Sequence, residues 1–144
     1  MDRSENMRRI RSTDTLPELA LRRALHGRGL RYRLHCKDLP GTPDIVFRAA
    51  RAAIFVNGCF WHRHENCRFA TRPKTRVEYW EPKLRRNAER DLENQQALLR
   101  AGYRVFVVWE CQLATEKEVE AVAAKIERRL AGVKTRLGRY SDEP

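Results

Sequence analysis

The feature that most constrains this chain is an apolar run, Ala52-Ala53-Ile54-Phe55-Val56, that passes straight into Asn57-Gly58-Cys59-Phe60-Trp61-His62-Arg63-His64-Glu65-Asn66-Cys67. The run reads as a buried strand. The residues after it crowd two cysteines, two histidines and two large aromatics into one short stretch. A strand that ends in glycine and then presents Cys59, Phe60, Trp61 and His62 does more than fill a core. It mounts a site on the end of a rigid element.

The remaining segments give an element order around that strand. Residues 1–14 are polar and basic without an apolar period, and read as a flexible arm. Thr15-Leu16-Pro17-Glu18 fits a helix-starting capping box, and the helix is predicted to stop near Gly27 or Gly29. Leu30, Tyr32 and Leu34 alternate with Arg31, Arg33 and His35, as in a half-exposed strand. After a turn at Leu39–Pro43, residues 44–47 form a short strand, and Ala52–Val56 returns antiparallel to it. Residues 66–74 look irregular. Thr75-Arg76-Val77-Glu78 fits a second capping box, opening a short helix that carries Trp80 and is kinked or restarted at Pro82. Leu84, Ala88, Leu92 and Leu99 mark a long helix stopped by Gly102. Tyr103–Trp109 is a strand. Thr115-Glu116-Lys117-Glu118 caps a last helix with Val119, Val122, Ala123, Ile126 and Leu130 on one face, ending at Gly132.

Helix, three strands, helix, strand, helix is an α/β pattern: a mixed sheet flanked by helices. With 144 residues the chain is expected to form one domain over 15–132, between the arm and a basic, frayed tail at 133–144. No apolar run is long enough for a membrane helix, and the first residues lack a signal-peptide pattern, so a cytoplasmic protein with reduced thiols is expected.

A formal net charge of +11 and an isoelectric point near 10.2 point to a polyanionic partner. The distribution favours nucleic acid over a merely solvated surface. Arg68, Arg72, Lys74, Arg76, Lys83, Arg85, Arg86 and Arg90 follow the aromatic stretch and interleave with Tyr79 and Trp80. Arg8 and Arg11 add charge in the arm. Cations hold phosphates, and aromatics stack on or wedge between bases.

Three groups could carry chemistry. Asp44 opens a strand after Pro43; its carboxylate can hold a divalent cation against a phosphate, or it is simply a turn residue. Cys59, His64 and Cys67 are spaced C-x4-H-x2-C, and Cys111 at the end of another strand could complete a tetrahedral zinc site. With all four positions filled by protein, that zinc would be structural. His62 either competes with His64 for the zinc or keeps a free imidazole for proton transfer. Cys36, beside His35, reads as a plain thiol.

Several of these segments together resemble a known family. They are Gly41-Thr42-Pro43-Asp44-Ile45-Val46, Ile54 through His62, Arg76-Val77-Glu78-Tyr79-Trp80, Lys83 to Asn87, Glu89-Arg90-Asp91, Gly102-Tyr103-Arg104-Val105 and Val108-Trp109-Glu110-Cys111. With Ser4–Arg8 and Arg11–Thr15, they resemble the very short patch repair (Vsr) DNA mismatch endonucleases over about residues 3–130. The resemblance implies a restriction-endonuclease-like core and nicking of DNA beside the thymine of a T:G mismatch. It implies that Asp44 binds catalytic magnesium, with the backbone carbonyl of Val56 as a further ligand, and that His62 assists the attacking water. It makes Cys59, His64, Cys67 and Cys111 the ligands of a structural zinc. Phe60, Trp61 and Trp80 would wedge into the duplex, so Trp61→Ala or Trp80→Ala should stay folded yet lose preference for T:G over T:A. Glu18 matches an acidic position near the family's metals and reads equally as a helix cap. Arg8, Arg11, Arg72, Lys74, Arg76, Lys83 and Arg86 would contact DNA. The chain would act as a monomer on double-stranded DNA and could contact other repair proteins.

This sequence departs from the family pattern at Val56, where threonine is usual, at Asn57, where histidine is usual, and in a His64-to-Cys67 spacing one residue longer. The competing reading is a zinc-stabilised nucleic-acid-binding module without cleavage, which uses the charge, aromatics and zinc ligands but needs neither Asp44 nor His62. A protein-interaction adaptor would leave the basic cluster without a purpose.

Overall fold

The computed structural model describes residues 15–59 and 76–131. The arm, the tail and the segment between Cys59 and Arg76 lie outside them. Within them run α1 (Leu16–Gly27), β1 (Arg33–Leu34), β2 (Ile45–Phe47), β3 (Ala52–Asn57), α2 (Val77–Arg100) and β4 (Arg104–Trp109). A short 3-10 turn (Glu110–Leu113) then leads to α3 (Glu116–Leu130). The four strands form one sheet in the order β1-β2-β3-β4. β1, β2 and β3 pair antiparallel, whereas β3 and β4 are parallel from Ala52↔Arg104 to Asn57↔Trp109. A tight turn suffices between β2 and β3, but a parallel pair needs a crossover, which contains α2. This is the mixed, helix-flanked sheet expected from the sequence.

The strands alternate as a sheet buried on both faces must. Ile45, Phe47, Ala52, Ile54 and Val108 point to one side, where they meet Leu21 and Leu25 of α1 and Val119, Ala123, Ile126 and Leu130 of α3. Val46 and Ala53 point to the other, where they meet Cys36 and Leu98 of α2. Cys36, read from the sequence as a plain thiol, is buried in this second cluster. Arg28, at the end of α1, reaches Glu127 at 2.8 Å and Glu120 at 3.2 Å, tying α1 to α3.

Four expectations need correction. β1 is only two residues long, with Leu30 buried but Leu34 37% exposed. The alternation stops because His35 turns left-handed, with φ 45°. Residues 77–100 are one helix with Pro82 inside it, not two. Pro82 lies in the second turn, so its missing N–H deprives one early carbonyl of a partner and the rest of the ladder carries on. The N-cap of that helix is Arg76 in a left-handed conformation without a side-chain cap bond, in place of the expected capping box. Finally, α2 buries Trp80, Leu84 and Leu98, while Leu92 and Leu99 are 57% and 58% exposed. Steps of four, seven and seven residues from Trp80 through Leu84 and Asp91 to Leu98 define the inner line, and Leu92 falls about 100° around from Asp91.

α3 follows its prediction more closely. The Thr115 hydroxyl accepts from Glu118 N at 3.1 Å and donates to Glu118 Oε1 at 3.0 Å. Val119, Ala123, Ile126 and Leu130 are buried. Among the described residues, no helix is long and apolar enough to cross a membrane.

Candidate active site

Asp44 directly precedes β2, behind the buried Pro43. The turn that delivers it is tight. Gly41 has φ +77°, and a Cβ there would come within 3.0 Å of Asn94 Cβ on α2 and 3.1 Å of a Phe55 ring carbon. Glycine is needed at this point both for the conformation and for the close approach. The Asp44 carboxylate then faces β3, where Val56 N donates to Asp44 Oδ2 at 2.7 Å. The backbone of Val56 therefore lies beside the carboxylate with which the sequence reading grouped it. A backbone N–H makes that contact, so the valine side chain replacing the family's threonine leaves it intact.

Glu18 comes from the first turn of α1. Its backbone N–H donates to the Thr15 hydroxyl at 3.4 Å, so the residue takes part in the cap. Its carboxylate does something else. Buried to 1% exposure, Glu18 Oε2 accepts from Arg22 Nη1 at 3.0 Å and from His35 Nε2 at 2.9 Å. The Glu18 backbone thus takes part in the cap, and its side chain joins a polar cluster with Arg22 and His35.

His35 was not among the predicted site residues. The antiparallel register runs Arg33↔Val46 and Leu34↔Ile45, and its next step sets His35 opposite Asp44. His35 N donates to Asp44 O at 3.0 Å, confirming that placement. Glu18, His35 and Asp44 can each offer one ligand atom, all within 4.8 Å of one another. An octahedral ion with bonds of about 2.1 Å separates adjacent ligand atoms by about 3 Å and opposite ones by about 4.2 Å, so small side-chain adjustments suit these residues to a divalent cation. One helix end and two adjacent strands supply the three groups, which gives them rigid support.

The other predicted residues divide by position. Parallel pairing of Asn57 with Trp109 brings Cys59 and Cys111, each two residues further on, past the same end of the sheet. Cys59 is fully buried, its N–H donating to Glu110 Oε1 at 3.3 Å, and Cys111 is half-buried. Asn57 is buried as well. His62, His64, Cys67, Phe60, Trp61, Arg8, Arg11, Arg72 and Lys74 lie outside the described residues.

At the start of α2, Arg76, Lys83 and Arg86 are exposed. Trp80, however, is only 2% exposed. The aromatic presented to solvent is its neighbour Tyr79, at 39% exposure, with the Arg76 guanidinium 4.9 Å and Lys83 Nζ 5.3 Å from its ring centroid. The Tyr79 and Trp80 rings meet edge to face at 4.8 Å. Removing a buried tryptophan typically costs about 3–5 kcal/mol, which corrects the expectation that Trp80→Ala leaves the fold unaffected. A cleft of about 820 Å³ opens elsewhere, between Leu16, Pro17 and Ala20 of α1 and Val119 of α3, and none of the cluster residues lines it.

Comparison with known proteins identifies the family of the chain. Residues 1–68 match the family model described as DNA mismatch endonuclease Vsr. A type II nicking enzyme of Xanthomonas oryzae pv. oryzae is 51% identical over 115 residues, covering 80% of this chain and 84% of the relative. The DNA mismatch endonuclease Vsr of Escherichia coli is 41% identical over 132 residues, covering 90% of this chain and 84% of that protein. A type II nicking enzyme of Lentzea aerocolonigenes is 45% identical over 130 residues, covering 87% of this chain and 75% of the relative. Identity this high, over most of this chain and of each relative, shows that the chain belongs to the Vsr family of DNA mismatch endonucleases.

Proposed function

We propose that this chain, a DNA endonuclease by family, hydrolyses one phosphodiester beside the thymine of a T:G mismatch, using magnesium at the Asp44 cluster and a structural zinc nearby. The observation that carries the reading is the carboxylate pair. Glu18 and Asp44, 26 residues apart in sequence, converge with His35 where α1 meets the β1–β2 edge. A binding module without cleavage has no use for a buried carboxylate directed at a second one, which favours the enzyme over that alternative.

Phosphodiester cleavage builds negative charge on a phosphate that is already anionic. A bound divalent cation neutralises that charge and lowers the pKa of the attacking water. Asp44 supplies a carboxylate whose direction is set by the Val56 N–H. The Val56 carbonyl, in the same peptide segment, is the further oxygen that the family resemblance assigns. His62 takes the proton from the attacking water, as a general base. Cys59, His64, Cys67 and Cys111 would hold the zinc, which would stabilise the folded chain without taking part in cleavage. Arg76, Lys83 and Arg86 hold backbone phosphates, together with Arg8, Arg11, Arg72 and Lys74. Phe60 and Trp61 open the mismatched step, which unstacks more readily than a paired one. The buried Trp80 contributes to this opening by supporting the exposed Tyr79 edge to face.

The test is strand nicking on duplexes that differ only in one T:G or T:A pair, with magnesium or with a chelator. The parent should nick the T:G duplex in magnesium and stop in chelator. Asp44→Ala should bring nicking below detection while DNA binding persists, and His62→Ala should slow it by about 100-fold. Parental nicking by Asp44→Ala would overturn the assignment, and equal rates on T:G and T:A would overturn the specificity.

A further inference from the structure

The third member of the cluster changes what the site should bind. Magnesium takes oxygen ligands almost exclusively and keeps several waters. An imidazole nitrogen suits first-row transition ions better, and manganese is the ion of that row whose preference for carboxylate oxygen and octahedral geometry matches Glu18 and Asp44. We propose that His35 is a direct nitrogen ligand of the cation held by Glu18 and Asp44, and that this site therefore prefers manganese to magnesium. The proposal rests on the active-site reading above and deepens it.

Three observations point the same way. His35 Nε2 lies 2.9 Å from Glu18 Oε2, close to the spacing of about 3 Å between neighbouring ligands of an octahedral ion with 2.1 Å bonds. The backbone of His35 is left-handed, φ 45°, in a residue that has a Cβ. Such a conformation is strained for a residue with a Cβ and persists only where the surroundings enforce it. The enforcement is visible: His35 N donates to Asp44 O at 3.0 Å and Cys36 N to Pro43 O at 3.2 Å. The ladder thus continues past β1 and locks the imidazole beside the Asp44 carboxylate. Finally, Glu18 is tied down independently by Arg22 at 3.0 Å, so His35 can turn its nitrogen lone pair to a cation without leaving the glutamate unpartnered.

The competing account is that His35 only hydrogen-bonds Glu18. His35→Gln separates the two, because the glutamine amide can donate to Glu18 but is a poor substitute for an imidazole ligand. The measurement uses the full chain without DNA. Manganese affinity comes from the loss of the free-ion electron paramagnetic resonance signal, and magnesium affinity from competition against it. Pulsed spectroscopy of the bound manganese reports any directly bonded nitrogen.

The parent should show nitrogen coupling and bind manganese at least about tenfold more tightly than magnesium, the scale on which metal-site partners act. His35→Gln should lose the coupling and most of the preference, with an unchanged circular dichroism spectrum. The parental spectrum alone decides if that variant misfolds, since a nitrogen-free bound manganese overturns the proposal. So does coupling that survives in a folded His35→Gln, which would assign it to another histidine. Asp44→Asn guards the underlying reading. Undiminished manganese binding in that variant would remove the site itself, whereas its loss together with an unaltered His35→Gln would remove only the role of His35.

Discussion

The two faces of the sheet are built to different standards. Beneath α1 and α3, thirteen buried residues among those described form one continuous cluster. Beneath α2, the corresponding cluster contains four. Between Leu84 and Leu98, the inward side of α2 offers Asn87, Asp91, Asn94 and Gln95, all half-buried and polar. The thick face carries Glu18 into the site on a helix anchored by Leu21 and Leu25, neither of which is exposed at all. The thin face carries the exposed Arg76, Lys83 and Arg86. Catalytic carboxylates need placement to a fraction of an ångström, whereas cations that track a phosphate backbone work through long, adaptable side chains. The larger core therefore sits behind the proposed catalytic carboxylates and the smaller one behind the exposed cations.

The sharpest way to break this comparison is to cut an equal-sized hole in each face. Leu25→Ala should cost about 4 kcal/mol, within the usual range for a fully buried leucine. Leu98→Ala should cost about 2 kcal/mol, because a thin, partly polar layer can settle around the loss. Urea denaturation of both variants checks this, and equal losses would show that the two faces are equally stiff.

A middle-sized effect tests the seam between the faces. Gly41 combines a positive φ with a 3.0 Å approach to Asn94 on α2. Gly41→Ala should therefore destabilise the chain by more than about 1 kcal/mol. The strain falls three residues before Asp44, so nicking should fall further than stability alone explains. A variant with parental stability and activity would show that the turn yields freely.

How much of this was legible in the sequence tracks the same division. Local signals worked where one element supplies its own rule. The Thr15 and Thr115 caps, the stripe on α3 and the alternation in β3 all carry their meaning within a few residues. Asp44 drew attention as a carboxylate at the head of a strand, whereas Glu18 read locally as a helix cap and joined the candidate site only through the family resemblance. His35 was not, because its partnership with Asp44 depends on the register between β1 and β2 across residues 36–43, and no short-range rule sets that register. Its left-handed backbone also breaks the alternation from which the strand was read. On α2 the local rules misled for a related reason. Leu92 and Leu99 look like core residues, but the inner line of the helix passes through Asp91 and is chosen by the sheet beneath it. Pro82 reads as a break in isolation, yet a helix of 24 residues tolerates one missing bond near its start.

The smallest expected effect isolates the rim of the thick face. Tyr32 packs edge to face on Phe47, with ring centroids 6.0 Å apart, and its hydroxyl donates to Arg22 O on α1 at 2.9 Å. Burial raises its pKa above the ordinary value of 10.0, outweighing the opposing pull of the Arg22 and Arg31 charges. Below pH 10 the phenol keeps its proton in both the folded and the unfolded chain, and contributes no pH dependence. Above pH 10 the unfolded chain gives up that proton first, so the folded state loses stability as the pH climbs toward the raised value. Tyr32→Phe cannot ionise, and its stability should decline less than the parent's between pH 9 and 11, at the expense of one hydrogen bond at neutral pH. Urea midpoints measured across that interval decide the matter. Parallel curves for parent and variant would mean that the phenol is as well solvated when folded as when unfolded, and that the thick core stops short of Tyr32.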